Sequence, residues 1–180
     1  TDIVKTSNID LKVDAENMPF EKNTIRSIFM QNTFHHISDP SKFFSECDRV
    51  LGSNGGIIMV EPYYGILSSL IFPFLHENES FDKKQDNWKN AALSPMKNAN
   101  QALSYVVFKK NLNEFNKNFP NLEIVHHKTL NNYLRYLISG GLNFKQLLPD
   151  SFESLIKFIE FLLSPLSDQL SLFHVLVIRK

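Results

Sequence analysis

The stretch from residue 13 to residue 62 constrains the fold more than any other part of the chain, because strand and helix patterns alternate along it. Ile9–Val13 predicts a short strand that ends at a turn, and Ile25–Gln31 predicts a second strand. Ser38-Asp39-Pro40 predicts the start of a helix, since Ser or Asp can cap it and Pro suits its first turn. Ile57–Val60 is an apolar run bounded by turn residues, typical of a strand covered on both faces. Strands and helices alternating at this spacing favour parallel pairing, so we expect an α/β fold.

The rest of the chain carries four further element patterns, and no linker divides it. We predict a helix over Ala99–Phe119, a strand over Leu122–Lys128, an amphipathic helix over Ser151–Leu163 and a closing strand over Phe173–Ile178. Residues 63–98 are irregular and follow the carboxyl end of a central strand, where open α/β sheets bind ligands. We therefore expect a single domain over residues 1–180, with a variable lid or substrate segment at 63–98.

Charge and cysteine content argue against several classes of function. The 19 Lys and Arg balance 19 Asp and Glu, so no long-range field favours nucleic acid or an anionic membrane. A single cysteine, Cys47, cannot form an internal disulfide or a multi-cysteine zinc site, and it shares a helical face with Phe43 and Val50, so we expect it to be buried. No apolar run reaches the about 18 residues that a spanning helix needs, and no leader pattern opens the chain. We expect a soluble, cytoplasmic protein without stable membrane insertion.

Five short motifs follow one another in a fixed order: Asp14-Ala15, Pro19-Phe20, His35-His36, Arg49-Val50-Leu51 and Gly55-Gly56. In these motifs the chain resembles the class I S-adenosylmethionine-dependent methyltransferases of the small-molecule type 11 family. The resemblance implies a Rossmann-like three-layer sandwich with a mostly parallel sheet and an antiparallel C-terminal strand. No glycine-rich cofactor loop precedes the motifs, so we expect a domain that is incomplete at its N-terminus.

The resemblance also implies S-adenosylmethionine as cofactor and assigns four residues to it. Asp2 would accept hydrogen bonds from the ribose hydroxyls, and Asp14 from the adenine amino group, while the small Ala15 leaves room for the ring. Asn32, which follows the strand Ile25–Gln31, would lie beside the methionine end of the cofactor. Both aspartates have an alternative interpretation, since Asp at a strand end commonly closes a turn with its own backbone.

Four further residues are candidates for positioning or activating the substrate: His36, Glu61, His76 and Glu77. Glu61 ends a predicted strand and would face the cleft, whereas His76 and Glu77 belong to a polar stretch that is either a substrate pocket or a solvated loop. Neutral imidazole can accept a proton near pH 7, so His36 is a candidate base, and a turn histidine bonded to the backbone is the alternative. Side chains alternate along an extended chain, so we expect the rings of His35 and His36 to diverge and predict no metal site.

These patterns lead to one main hypothesis and three alternatives. The main hypothesis is methyl transfer from S-adenosylmethionine to a small molecule or to a lipid- or sugar-linked molecule. The chain would otherwise be a non-catalytic truncated module that pairs with another chain through an exposed strand edge, and a homo-oligomer is compatible with both functions. Tyr105 and Lys109 match the Tyr-x-x-x-Lys pattern of NAD(P)-dependent oxidoreductases, although so short a pattern recurs by chance. The apolar segments 66–75 and 151–166 could touch a membrane surface, but we favour burial in the core.

Overall fold

The structure, a computed structural model, describes residues 8–75, 79–90, 99–141 and 145–180. Its centre is a four-stranded sheet. The strands are β1 (Ile25–Gln31), β2 (Leu51–Pro62), β3 (Glu123–Thr129) and β4 (Phe173–Arg179). Neighbouring strands follow the order β1-β2-β4-β3, so the last strand of the chain lies inside the sheet. Strands β1, β3 and β4 lie within two residues of their predicted positions.

The sheet is mixed rather than mostly parallel, which corrects one part of the expected fold. Strands β1 and β2 pair in parallel, whereas β4 is inserted between β2 and β3 and pairs with both in the antiparallel direction. Three strands therefore still point the same way, and the C-terminal strand opposes them. The predicted α/β class and the antiparallel C-terminal strand are confirmed.

Helix α1 (Pro40–Val50) begins where the sequence predicts. The side chain of Asp39 accepts hydrogen bonds from two backbone N–H groups of the first turn at 3.2 and 3.4 Å, and Pro40 occupies the first helical position. Phe43, Phe44, Cys47 and Val50 form its apolar face and are fully buried. The predicted burial of Cys47 is confirmed, and this burial raises the pKa of its thiol.

A second helical segment packs against α1 and covers the same face of the sheet. The predicted helix over Ala99–Phe119 forms in three pieces, namely α3 (Leu103–Tyr105), a π-helical turn (Val106–Lys110) and α4 (Leu112–Asn118). Phe115 of α4 meets Phe44 of α1 edge to face, with ring centroids 5.1 Å apart. The main core lies between these helices and β2, where Ile57 and Met59 are fully buried.

The opposite face of the sheet is only partly covered by the described residues. Phe29 of β1 and Ile58 of β2 are register partners on this face, and they expose 66% and 38% of their surface. The described part of the chain therefore supplies the sheet and one of the helical layers that the resemblance implies.

Four further helices lie near the end of the sheet where β2 ends and β4 begins. They are α2 (Ile66–Leu75), α5 (Tyr133–Ile138), α6 (Glu153–Leu162) and α7 (Ser167–Leu170). A second core cluster around Phe72, Tyr133, Leu172 and Phe173 joins α2, α5 and α7 to the sheet, and α6 packs against α5. Among the described residues, the helices are too short or too polar for any of them to cross a membrane.

The predicted strand over Ile9–Val13 does not form. Within this stretch only Lys12 lies in a bridge, and the next bridge, between Asp14 and Asn17, follows it, so no ladder of several residues forms. A strand needs a neighbour for its N–H and C=O groups, and within the described ranges no strand lies on the outer side of β1. The prediction was wrong because the local pattern carries no information on the presence of a partner.

Strand β2 begins at Leu51, earlier than the predicted Ile57, and its first half is irregular. Ile25 of β1 pairs with Leu51, but two residues later Ser27 pairs with Gly56. The extra residues are accommodated by glycine, since a Cβ on Gly55 would lie 2.8 Å from a backbone oxygen. Gly55 and Gly56 therefore lie inside the strand rather than before it.

Candidate functional site

The carboxyl end of β1 leads into a tight turn that carries both histidines. Because β1 and β2 are parallel, their carboxyl ends lie side by side, with Gln31 paired to Val60. Glu61, the next residue of β2, is 1% exposed and directs its carboxylate at the 3-10 turn Phe34–His36. It accepts hydrogen bonds from the backbone N–H groups of Thr33 (2.8 Å), Phe34 (2.7 Å) and His35 (3.3 Å). One buried carboxylate thus fixes the turn.

His35 is held as a cation between two carboxylates. Its Nδ1 donates to Glu61 Oε2 at 2.6 Å, and its Nε2 lies 3.5 Å from Glu79 Oε2. Burial alone would lower the pKa of His35, but the charge and hydrogen bond of Glu61, with a further contribution from Glu79, raise it to about 9. Burial would raise the pKa of Glu79, but His35 and a 2.6 Å hydrogen bond from Gln101 lower it to about 2. The cluster is therefore charged near neutral pH.

His36 faces the same carboxylate as His35, contrary to the expectation that the two rings diverge. Its Nε2 lies 3.5 Å from Glu79 Oε1, and the two ring centroids are 4.3 Å apart. The expectation assumed an extended chain, in which neighbouring side chains point to opposite sides. These residues form a 3-10 turn instead, and two imidazoles and one carboxylate meet on one side of it.

A cavity of about 420 Å³ lies beside β1 and continues past its carboxyl end. Its polar wall includes Asp14 of the preceding loop, Gln31 at the end of the strand, and Thr33 and His36 after it, and Ala15 lies beside Asp14. Apolar side chains line the rest, among them Val13, Phe20, Ile28 and Phe29. The volume falls within the usual range of small-molecule sites. Three residues singled out in the sequence, Asp14, Ala15 and His36, thus share one cavity.

The loop that carries Asp14 is anchored to helix α1. Asp14 Oδ1 accepts a hydrogen bond from the N–H of Glu16 at 2.8 Å, which is the turn geometry of the alternative interpretation. Glu46 of α1 accepts from the N–H of Met18 at 2.6 Å, and Arg49 donates to the carbonyl of Met18 at 2.8 Å. The hydrogen bond from Arg49 to Glu46 lowers the pKa of that carboxyl, so both stay charged. Helix α1 therefore sets the position of the cavity's acidic wall.

The remaining predicted site residues are placed elsewhere. Asn32 is exposed, has a φ of 49°, and donates its N–H to the carbonyl of Val60 at 2.8 Å, but its side chain is not part of the cavity wall. Glu61 does not face the cavity and is occupied by the histidine turn. Asp2, His76 and Glu77 lie outside the described residues. The polar stretch that contains His76 and Glu77 also contains Glu79. The sequence analysis did not single out Glu79, although it lies only two residues after Glu77.

A second group of polar side chains lies across β4, each in contact with the next. Ser104 Oγ lies 3.0 Å from His174 Nε2, and His174 Nδ1 lies 2.8 Å from His127 Nε2. Ser104 and His174 are 1% and 0% exposed, so no substrate reaches the hydroxyl. Burial, with the charge of His127 adding to it, lowers the pKa of His174 to about 3, which keeps this imidazole neutral. Ser104 and His174 are arranged like a nucleophile and its base. Because both are buried, we assign them a structural role.

Comparison with protein families gives one match. Residues 4–59 match the family described as "Methyltransferase domain". This stretch contains β1, the histidine turn, α1 and most of β2, and it includes the loop with Asp14. The family resemblance read from the sequence is confirmed for these residues. No curated protein sequence matches the chain.

Solved structures with a similar fold include three of known description. Geranyl diphosphate C-methyltransferase from Streptomyces coelicolor A3(2) has a TM-score of 0.49 at 14% identity, over 92% of this chain and 52% of that chain. Phosphoethanolamine N-methyltransferase 2 from Haemonchus contortus has a TM-score of 0.44 at 16% identity, over 93% and 36%. The cyclase SpnF has a TM-score of 0.43 at 13% identity, over 93% and 54%. The chain spans about half the length of these proteins, or less.

Proposed function

We propose that the chain is part of an S-adenosylmethionine-dependent methyltransferase, since residues 4–59 match the family described as "Methyltransferase domain". Its substrate would be a small molecule or a lipid- or sugar-linked molecule. Two of the similar structures bear the names of enzymes that methylate geranyl diphosphate and phosphoethanolamine, and both of these are small molecules.

One observation carries the proposal, namely that Asp14, Ala15 and His36 line the same cavity. They come from two segments that are about 20 residues apart in the sequence. Glu16 joins these segments, because its carboxylate accepts hydrogen bonds from the N–H groups of Ser38 (2.8 Å) and Asp39 (2.9 Å). The cavity is largely apolar with a few polar groups on one wall, which suits a purine ring with polar edges.

In this proposal Asp14 and Ala15 hold the adenine end of the cofactor. A carboxylate oxygen of Asp14 can accept from an exocyclic amino group, since the turn with Glu16 uses a single oxygen, Oδ1, and Oδ2 adds further acceptor capacity. The methyl side chain of Ala15 keeps the wall flat where a planar ring would lie. Asp2 at the ribose and Asn32 at the methionine end remain predictions from the family resemblance.

The cofactor would supply a methyl group on a sulfonium, which is a good leaving group, so the protein's contribution is mainly positioning. His36 lies in the cavity wall and is placed to orient the acceptor atom or take its proton. We propose that Glu61 acts through the backbone, since it holds the turn on which His36 sits. His76 and Glu77 remain candidates for contacting the acceptor.

The test is calorimetric titration of the 180-residue chain with S-adenosylhomocysteine, the product form of the cofactor. We expect saturable binding that Asp14→Ala weakens at least tenfold. The matched control is Asp10→Ala, an exposed aspartate four residues earlier, which should bind as the parent chain does. Absence of binding to the folded chain, or equal binding by both variants, would contradict the proposal.

A second candidate function is a non-catalytic module that pairs with another chain. It is favoured by the outer side of β1, along which no other described strand lies, and by the exposed ring of Phe29. This module would form oligomers without binding S-adenosylhomocysteine. The oxidoreductase pattern gains no comparable support, because the cation over the ring of Tyr105 is Lys83 at 5.4 Å, while Lys109 is exposed.

A further inference from the structure

The cluster of His35, His36 and Glu79 has a geometry that the proposed methyl transfer does not explain. Each histidine places its Nε2 atom 3.5 Å from an oxygen of Glu79. These separations are longer than the 2.7 to 3.2 Å that is typical of N–H···O hydrogen bonds. All three ligand atoms nevertheless lie within 4.8 Å of one another. Two imidazoles therefore face one carboxylate at ion-pair distance, with their Nε2 atoms turned to the same group.

The separations fit ligands that share one metal ion. Zinc binds imidazole nitrogen and carboxylate oxygen at about 2.0 to 2.2 Å, and two such ligands at a tetrahedral angle are about 3.4 Å apart. The 3.5 Å distances from His35 Nε2 to Glu79 Oε2 and from His36 Nε2 to Glu79 Oε1 are close to this spacing, so the carboxylate can approach one ion through either oxygen. Two histidines and one glutamate are also a ligand set found in zinc sites that keep one position open for water or substrate.

The surroundings of the cluster supply the second set of contacts that metal sites use. A histidine ligand usually donates its other ring N–H to a carboxylate, which fixes the tautomer and the direction of the ring. His35 does this, because its Nδ1 lies 2.6 Å from Glu61, whose side chain is 1% exposed. Gln101 donates to Glu79 at 2.6 Å and holds the carboxylate in place. Both contacts leave the Nε2 atom of His35 facing Glu79.

We propose that His35, His36 and Glu79 form a binding site for one divalent transition-metal ion of the zinc type. Binding joins the ion to the Nε2 atoms and to the carboxylate, and the Nε2 proton of His35 passes to solvent. His36 also lines the cavity beside β1, so the ion would lie at the edge of the proposed cofactor site. The site requires no methyl transfer, and its test is separate from that of the proposed function.

The experiment is calorimetric titration of the 180-residue chain, without a histidine tag, with zinc chloride at pH 7.5. We expect one ion per chain, with affinity at least tenfold weaker in His36→Ala and in Glu79→Gln. Cobalt(II) in place of zinc should give a visible absorption spectrum of a tetrahedral site, and both variants should lose it.

The matched control is His126→Ala, which removes an exposed histidine on β3 and should bind the ion as the parent chain does. Circular dichroism of each variant separates loss of the site from loss of the fold, and Glu79→Gln keeps the shape of the side chain. The proposal is overturned if the folded chain binds no zinc saturably, or if the folded His36→Ala and Glu79→Gln variants bind it as tightly as the parent.

Discussion

At the scale of single residues, Glu61 is the most heavily used side chain of the site. Its two oxygens accept three backbone N–H groups and one imidazole N–H, and none of the carboxylate reaches the cavity. The sequence analysis singled out Glu61 because it follows the predicted central strand, and the structure places it near the carboxyl end of β2. Its partners lie about 26 residues earlier, and no local pattern records that pairing.

Replacing this carboxylate should cost stability. We expect Glu61→Gln to lower the free energy of unfolding by about 3 kcal/mol, because the amide nitrogen would face donors and the charge opposite His35 would be lost. Urea denaturation followed by circular dichroism measures the change. The control is Glu21→Gln, an exposed glutamate that should leave the midpoint unchanged. A shift of equal size in both variants would contradict the buried-anchor role.

His174 should make the fold sensitive to acid. The pKa of this histidine is about 3 in the folded chain and near 6.5 in the unfolded chain, so between these values the unfolded state binds one more proton. Its contribution to stability is complete above pH 6.5 and decreases as the pH falls towards 3, by up to about 1.4 kcal/mol per pH unit. Denaturation series at several pH values should show this slope.

The variant His174→Gln removes the titrating group while keeping a polar side chain. We expect its stability to depend less steeply on pH between 6.5 and 4 than that of the parent. His126→Gln, at an exposed position on β3, should retain the parent's slope. Parallel curves for the parent and His174→Gln would show that another group causes the acid sensitivity.

At the scale of elements, local signals predicted what depends on local contacts. The start of α1 was predicted because a cap and a proline act within one turn, and the structure places Asp39 and Pro40 in these roles. The strand over Ile9–Val13 was predicted equally well by pattern but needs a partner strand, and the irregular first half of β2 depends on its pairing with β1. The π-helical turn in the segment 99–119 has no sequence signature of its own.

The cap of α1 offers a test at this scale. Asp39→Ala removes the acceptor for two N–H groups, so we expect a loss of about 1 kcal/mol in unfolding free energy. Asp39→Asn keeps an oxygen that can cap the helix and should lose much less. Chemical denaturation of the two variants under one condition gives the comparison. Equal losses would mean that the ion pair with Lys89, at 3.0 Å, matters more than the cap.

At the scale of the whole molecule, the main feature is that the described residues cover the two faces of the sheet unequally. One face is packed beneath α1, α3 and α4, while Phe29 and Ile58 on the other are 66% and 38% exposed. The family resemblance predicted three layers, and the described residues build the sheet and one helical layer. Composition alone could not predict that one face of the sheet is exposed, because the fraction of apolar residues does not show which face they cover.

Such a surface should cause self-association of the 180-residue chain. We expect dimers or larger species in sedimentation experiments, because joining two such faces removes apolar area from water. Phe29→Lys should shift the distribution towards monomer. The control Leu147→Lys changes a similarly exposed apolar residue, 67% exposed, on another surface. A monomeric parent chain, or equal shifts in both variants, would contradict this expectation.

The contacts of Glu61 should also affect how fast nearby backbone amides exchange with solvent. The amides of Thr33, Phe34 and His35 belong to no ladder of the sheet, yet they share one buried acceptor. Hydrogen exchange at the three positions should therefore be slow and synchronous, since solvent reaches any of them only when the carboxylate withdraws from all. Exchange followed residue by residue by NMR would then measure how often the turn that carries the two histidines opens.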